Sequence, residues 1–109
     1  MISAEQAGAI LLGLPQVEPG TSVGNTEYRL KRKLFATLWA GMGCANLRVG
    51  KDEQVMMLVT DSRVYTPPVT GIKTGWVRVS LQAVSEESFR EAAWKAWRNA
   101  APARMALEY

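Results

Sequence analysis

The chain has 109 residues, 48% hydrophobic and 21% charged, which points to one compact folded domain and excludes disordered, collagen-like and disulfide-scaffold classes. It contains no histidine, so imidazole bases, imidazole metal ligands and serine–histidine relays are excluded, and the single cysteine, Cys44, rules out an intramolecular disulfide or a CxxC pair. Net charge is +3 overall, but it is uneven: residues 25–51 carry six cationic side chains against Glu27 alone, a local +5.

The opening segment has no basic leader, and no stretch reaches the roughly 18 uninterrupted apolar residues of a spanning helix. No membrane association is therefore expected, and the lone thiol fits a reducing, cytoplasmic compartment. Ser3 and Gln6 have capping-box spacing, and Ala7, Ile10, Leu11 and Leu14 recur at helical spacing, which predicts a short first helix stopped by Gly13 and Pro15. Pro19, Gly20 and Gly24 predict an irregular stretch after it.

From Glu27 the period changes to two. The runs EYRLK, KLFATLW and CANLRV, separated by the basic Lys31 to Lys33 corner and by residues 40–43, predict an antiparallel meander. Lys51-Asp52-Glu53 ahead of Val55, Met56, Leu58 and Val59 predicts a second short helix, its acidic groups placed where the helix dipole favours them. Arg63 to Thr66 read as a fourth strand ended by Pro67-Pro68. A loop through Gly71 follows, and Gly75 to Leu81 alternate strictly as a fifth strand. Ser85 is an expected N-cap for a long third helix to about Asn99, buried through Phe89, Ala93, Ala96, Trp97 and Ala100 and halted by Pro102.

The expected fold is a single domain over residues 1–109, α+β and two-layered. An antiparallel sheet carries its helices on one face, in the order α-β-β-β-α-β-β-α. Alternation assigns Tyr28, Leu30, Leu34, Ala36, Leu38, Ala45, Leu47, Val49, Val64, Val77, Val79 and Leu81 to the covered face. The opposite face then holds Arg29, Lys31, Phe35, Thr37, Trp39, Cys44, Asn46, Arg48, Arg63, Tyr65, Trp76, Arg78 and Ser80.

That second set interleaves aromatic rings with arginines. Phe35, Trp39, Tyr65 and Trp76 suit stacking on bases, and Arg29, Lys31, Arg32, Lys33, Arg48 and Arg78 suit phosphates, the combination used by sheet platforms for single strands. The same face equally fits a protein interface or a second copy of the chain, with arginine stems covering the aromatics. The Arg29 to Lys33 run reads either as a phosphate contact or as a solvated hairpin corner that discourages edge pairing.

Little else carries chemistry. Gly41-Met42-Gly43 and Gly71 to Gly75 lack Walker or dinucleotide spacing and read as turns. Asp52 with Glu53, and Glu86 with Glu87, are first-turn carboxylates of helices, where adjacent residues do not face each other. Cys44 has no histidine partner, and Trp94 and Trp97 read as packing. No cofactor, metal site or enzymatic centre is expected.

Taken in order, Gly13 to Glu18, Lys33 to Leu38, Asn46 to Val49, Gly75 to Leu81 with its Gly-Trp start, and Ala96 to Pro102 resemble the MmcQ/YjbR family of small bacterial domains over nearly the whole chain. The resemblance implies a YjbR-like two-layer fold, related in shape to secretion chaperones. It also implies a DNA-binding role through a double-wing motif, with no catalytic motif to carry over. The chain departs from that pattern at Gly24-Asn25-Thr26, where a Gly-His-Pro-like segment is usual. The expected function is a small non-enzymatic binding domain contacting DNA. The alternative is a homodimeric protein-interaction or chaperone-like module with no nucleic-acid role.

Overall fold

The computed structural model describes residues 1–68 and 73–109, so the part of the expected Gly- and Pro-bearing loop around Gly71 lies outside the described residues. The first helix, α1 (Ala4–Leu12), starts on a complete capping box. The Ser3 hydroxyl accepts from the Gln6 amide at 3.1 Å, and the Gln6 side chain accepts from the Ser3 amide at 2.8 Å. Four strands follow: β1 (Glu18–Ser22), β2 (Asn25–Leu30), β3 (Lys33–Trp39) and β4 (Cys44–Arg48). Next come α2 (Lys51–Thr60), β5 (Tyr65–Thr66), β6 (Trp76–Ser80), α3 (Glu86–Ala100) and α4 (Ala103–Glu108).

The six strands form one antiparallel sheet in the order β1-β2-β3-β4-β6-β5. Helix α3 packs on β3 and β4, α1 on β3, and α2 on β6 and β5, all on the same side. The fold class and the one-sided helix layer agree with expectation, with three additions and shifts. Glu18–Ser22, expected to be irregular, pairs with β2 as an edge strand whose residues are all exposed. Its composition hides it, because Pro and Gly are tolerated only where a strand edge needs no second partner. Beyond Pro102 the chain turns into α4, which returns Met105 to the core. Within α2 the buried residues are Gln54 and Met57, whereas Val55, Met56 and Val59 face outward.

Alternation fails at one place in β3. Tyr28 faces Ala36, but Arg29 faces Leu34, so Phe35 has no partner and the strand carries a bulge. Consequently Phe35 and Ala36 are both fully buried in the core, while Leu34 turns to the helix-free side. Two expectations are corrected here: Leu34 leaves the core set, and Phe35 is a core residue with no surface to stack or to meet a partner. The extra residue shifts the two-residue period, and no period analysis sees it in advance.

Tyr65 is the third correction. It faces Val79 across the β5–β6 pair and therefore shares the helix side, against the core and between α2 and α3. Burial, reinforced by the Glu91 and Asp61 carboxylates, raises its hydroxyl pKa.

Two hairpin turns have both central residues at positive φ. Val23 and Gly24 (49° and 82°) join β1 to β2, and Lys31 and Arg32 (51° and 70°) join β2 to β3. Paired positive φ matches the right-handed twist of the flanking strands, and glycine or asparagine normally supplies it. Lys31 and Arg32 take it with full side chains, at about 1–2 kcal/mol per residue.

Helix α2 anchors the start of β6. The buried Gln54 amide donates to the Lys73 and Trp76 carbonyls, both at 2.8 Å, and accepts from the Gly75 N–H at 3.0 Å. Gly50 precedes α2 at φ +96° and ψ 160°, backbone that residues with a Cβ rarely adopt, so glycine is required.

Candidate binding face

Cross-strand register lays the helix-free face out in rows. In the central row Glu27 faces Thr37, Thr37 faces Asn46, and Asn46 faces Arg78, which also faces Thr66. One neighbouring row pairs Trp39 with Cys44 and Cys44 with Ser80, and on the other side Arg48 faces Trp76. The β1–β2 hairpin tip, with Pro68 and Lys73, adjoins these rows. They enclose a groove of about 430 Å³, lined among others by Val23, Glu27, Leu34, Thr37, Trp39, Asn46, Lys73 and Trp76. That volume falls within the range of about 300–1,000 Å³ typical of ligand pockets.

Trp39 and Trp76 stand at opposite ends of the groove. They are two strands and two same-face rows apart, roughly 16 Å between Cα atoms by standard sheet spacings, so one flat ring cannot lie on both. Trp39 is half-buried; Trp76 is 8% exposed and carries the Lys73 ammonium 5.3 Å from its ring centre. Neither tryptophan belongs to the core beneath the helices.

Asn46 forms the floor between them. It is 6% exposed, and its Nδ2 donates to Thr37 Oγ1 at 3.2 Å, while its Oδ1 is buried and has no hydrogen-bond partner among the described residues. An unpaired buried carbonyl of this kind costs about 1–3 kcal/mol. Glu27 is held by Arg29 at 3.1 Å, which offsets the one carboxylate lining the groove.

The predicted site residues are thus only partly brought together. Trp39 and Trp76 line the groove, and Arg29 reaches it through Glu27. Arg48 and Arg78 lie on the same face outside the groove, Arg78 toward the 40–43 turn. Lys31, Arg32 and Lys33 are exposed at the β2–β3 turn. Phe35 and Tyr65 are on the far side of the sheet, as described. Sequence reasoning did not single out Glu27, Leu34, Thr37, Asn46 or Lys73 as site residues. The signal for Asn46 was present, since a lone amide in the otherwise apolar CANLRV strand must find partners inside the fold.

Charge is partitioned between the layers. The helix-free face and the β2–β3 turn carry seven cationic side chains (Arg29, Lys31, Arg32, Lys33, Arg48, Lys73, Arg78) against Glu18 and Glu27, a net +5. The remainder of the chain carries six against eight, a net −2. Among the described residues, three of the four ion pairs (Asp61 with Arg63, Glu86 with Arg90, Glu53 with Lys95) lie in that remainder. Among the described residues no cluster of metal-ligating side chains occurs, and no helix is long and apolar enough to cross a membrane.

These features define a class: a small two-layer α+β domain whose bare sheet face is cationic, grooved and partly aromatic. The sequence profile of the YjbR family matches residues 12–99, from the end of α1 to the end of α3, and the chain belongs to that family. No curated protein matches it.

Proposed function

We propose that this YjbR-family domain is a non-enzymatic binding module for a flexible polyanion, single-stranded DNA above all, held across the helix-free face. The observation that carries the reading is the charge partition: a net +5 lies on the helix-free face together with the β2–β3 turn while the rest of the molecule is net negative. Such a field orients the domain and draws a polyanion to one side of it. Backbone strain supports the same surface, because Lys31 and Arg32 hold positive φ with no glycine to relieve it, and strain of this kind concentrates at functional positions. Trp39 offers a ring to one base, and Lys73 over Trp76 offers a cation at the other end of the groove. Among the described residues the ionisable groups lining the groove are Glu27 and Lys73, and Glu27 is tied to Arg29, which supports binding rather than catalysis. The buried free thiol of Cys44 suits action in the cytoplasm.

Fluorescence anisotropy of a labelled single-stranded oligonucleotide, titrated at several salt concentrations, tests the proposal. Affinity should fall steeply with salt. Replacing Arg32 and Lys33 with alanine should flatten the log–log slope by about 0.7 for each lost single-strand contact. Absence of any anisotropy change at low salt refutes the reading. A dimer in sedimentation that dissociates on Val23→Glu, at the fully exposed lip of the groove, would replace it with the protein-interaction reading.

A further inference from the structure

We infer that the groove discriminates between bases, favouring one with an exocyclic amino group that donates to the Asn46 side chain; the inference rests on the nucleic-acid reading above. Thr37 lies between Glu27 and Asn46 in the register. Asn46 Nδ2 donates to Thr37 Oγ1 at 3.2 Å, and the carboxylate on the other side of Thr37 in the register is an acceptor only, so nothing there competes to donate to the Thr37 oxygen. In this arrangement the Asn46 Nδ2 is satisfied and Oδ1 is in surplus, the buried oxygen without a partner among the described residues.

Among the described residues no donor meets Asn46 Oδ1, and both groove-lining side chains next to Thr37 in its row, Glu27 and Asn46, present acceptors. A ligand entering between the Trp39 and Trp76 ends satisfies the floor by bringing N–H groups, and a base resting on one ring brings them in its own plane. Cytosine, adenine and guanine carry an exocyclic amino group; uracil and thymine present a carbonyl there, which would meet Asn46 Oδ1 acceptor to acceptor. Lys73 at the rim takes the adjoining phosphate, so one nucleotide unit fits the sequence of ring, amide and cation across the groove.

The cleanest test compares oligodeoxycytidine with oligodeoxyuridine of equal length, which differ at the amino-bearing edge and in neither ring size nor methylation. Wild-type protein should bind the cytidine strand about tenfold more tightly, within the discrimination usual for a good base-edge contact. Asn46→Leu should bring the ratio close to one while the salt slope stays unchanged. If Asn46→Leu does not fold, Thr37→Val is measured instead; it frees the amide to rotate and should reduce the ratio too. Equal affinity of the wild type for both strands, with steep salt dependence, overturns the inference and leaves the polyanion reading standing. Preference for the uridine strand overturns it as well, because the ring imide N–H, or the amide's own N–H, rather than an exocyclic amino group would then make the contact. No binding to either strand removes both readings.

Discussion

Gln54 ties α2 to the strand that carries Trp76, and its replacement offers a measurable link between core and groove. In Gln54→Leu, volume is nearly conserved but three hydrogen bonds disappear, two of them in fully buried surroundings. The Trp76 carbonyl and the Gly75 N–H are left unpaired, each at about 1–3 kcal/mol, whereas the Lys73 carbonyl still accepts from the Trp76 N–H at 3.0 Å. The expected loss is about 3–4 kcal/mol, a large share of the roughly 5–15 kcal/mol that holds a domain of this size together. At about 4–8 °C per kcal/mol, Tm should drop by roughly 12 °C or more. Urea unfolding followed by circular dichroism measures the loss directly. Gln54→Glu provides a chemical control: it keeps an acceptor for Gly75 but loses the donor at neutral pH, and regains one when the carboxyl protonates in acid. It should thus be severely destabilised at pH 7, with the gap to wild type narrowing as pH falls. A loss below about 1 kcal/mol in Gln54→Leu, at unchanged urea slope, would refute the clamp.

The bulge predicts an inverted pair of costs in β3. Phe35→Ala should lose about 3–5 kcal/mol as a cavity in the core, and Leu34→Ala, on the open face, about 1 kcal/mol or less; equal losses in urea would show the strand to be regular. Burial raises the Tyr28 hydroxyl pKa, and burial with the Glu91 and Asp61 carboxylates raises that of Tyr65. With folded values above the unfolded value of about 10, the stabilisation they contribute is complete below that pH. It is lost as pH rises through the folded values, because the unfolded chain releases its protons first. Tyrosinate absorbance should therefore rise later in the folded protein than in urea, and Tyr65→Phe should soften the alkaline loss of stability; coincident titrations in the two states would contradict this.

Much of the fold is legible along the chain because local rules act locally. The Ser3 box, the Ser85 cap, the α3 stripe and the alternation of Trp76 to Ser80 each depend on neighbours a few residues away, and each appears where expected. The helix-free location of Trp39, Trp76, Arg29, Arg48 and Arg78 follows from the same period of two. The family resemblance, carried by five ordered blocks, agrees with the matched span.

Other features were decided only in three dimensions. Phe35 is buried because one extra residue in β3 sets register against a partner strand, and Tyr65 because a two-residue strand pairs with Val79. Glu18–Ser22 becomes a strand because β2 presents an unpaired edge, overriding its Pro and Gly content. The groove itself joins the hairpin tip, the strands β2, β3, β4 and β6, and Lys73, residues far apart in the chain. A sequence specifies which side chains can alternate, cap or pair; which of them meet depends on long-range pairing, whose energy is not carried by any one segment.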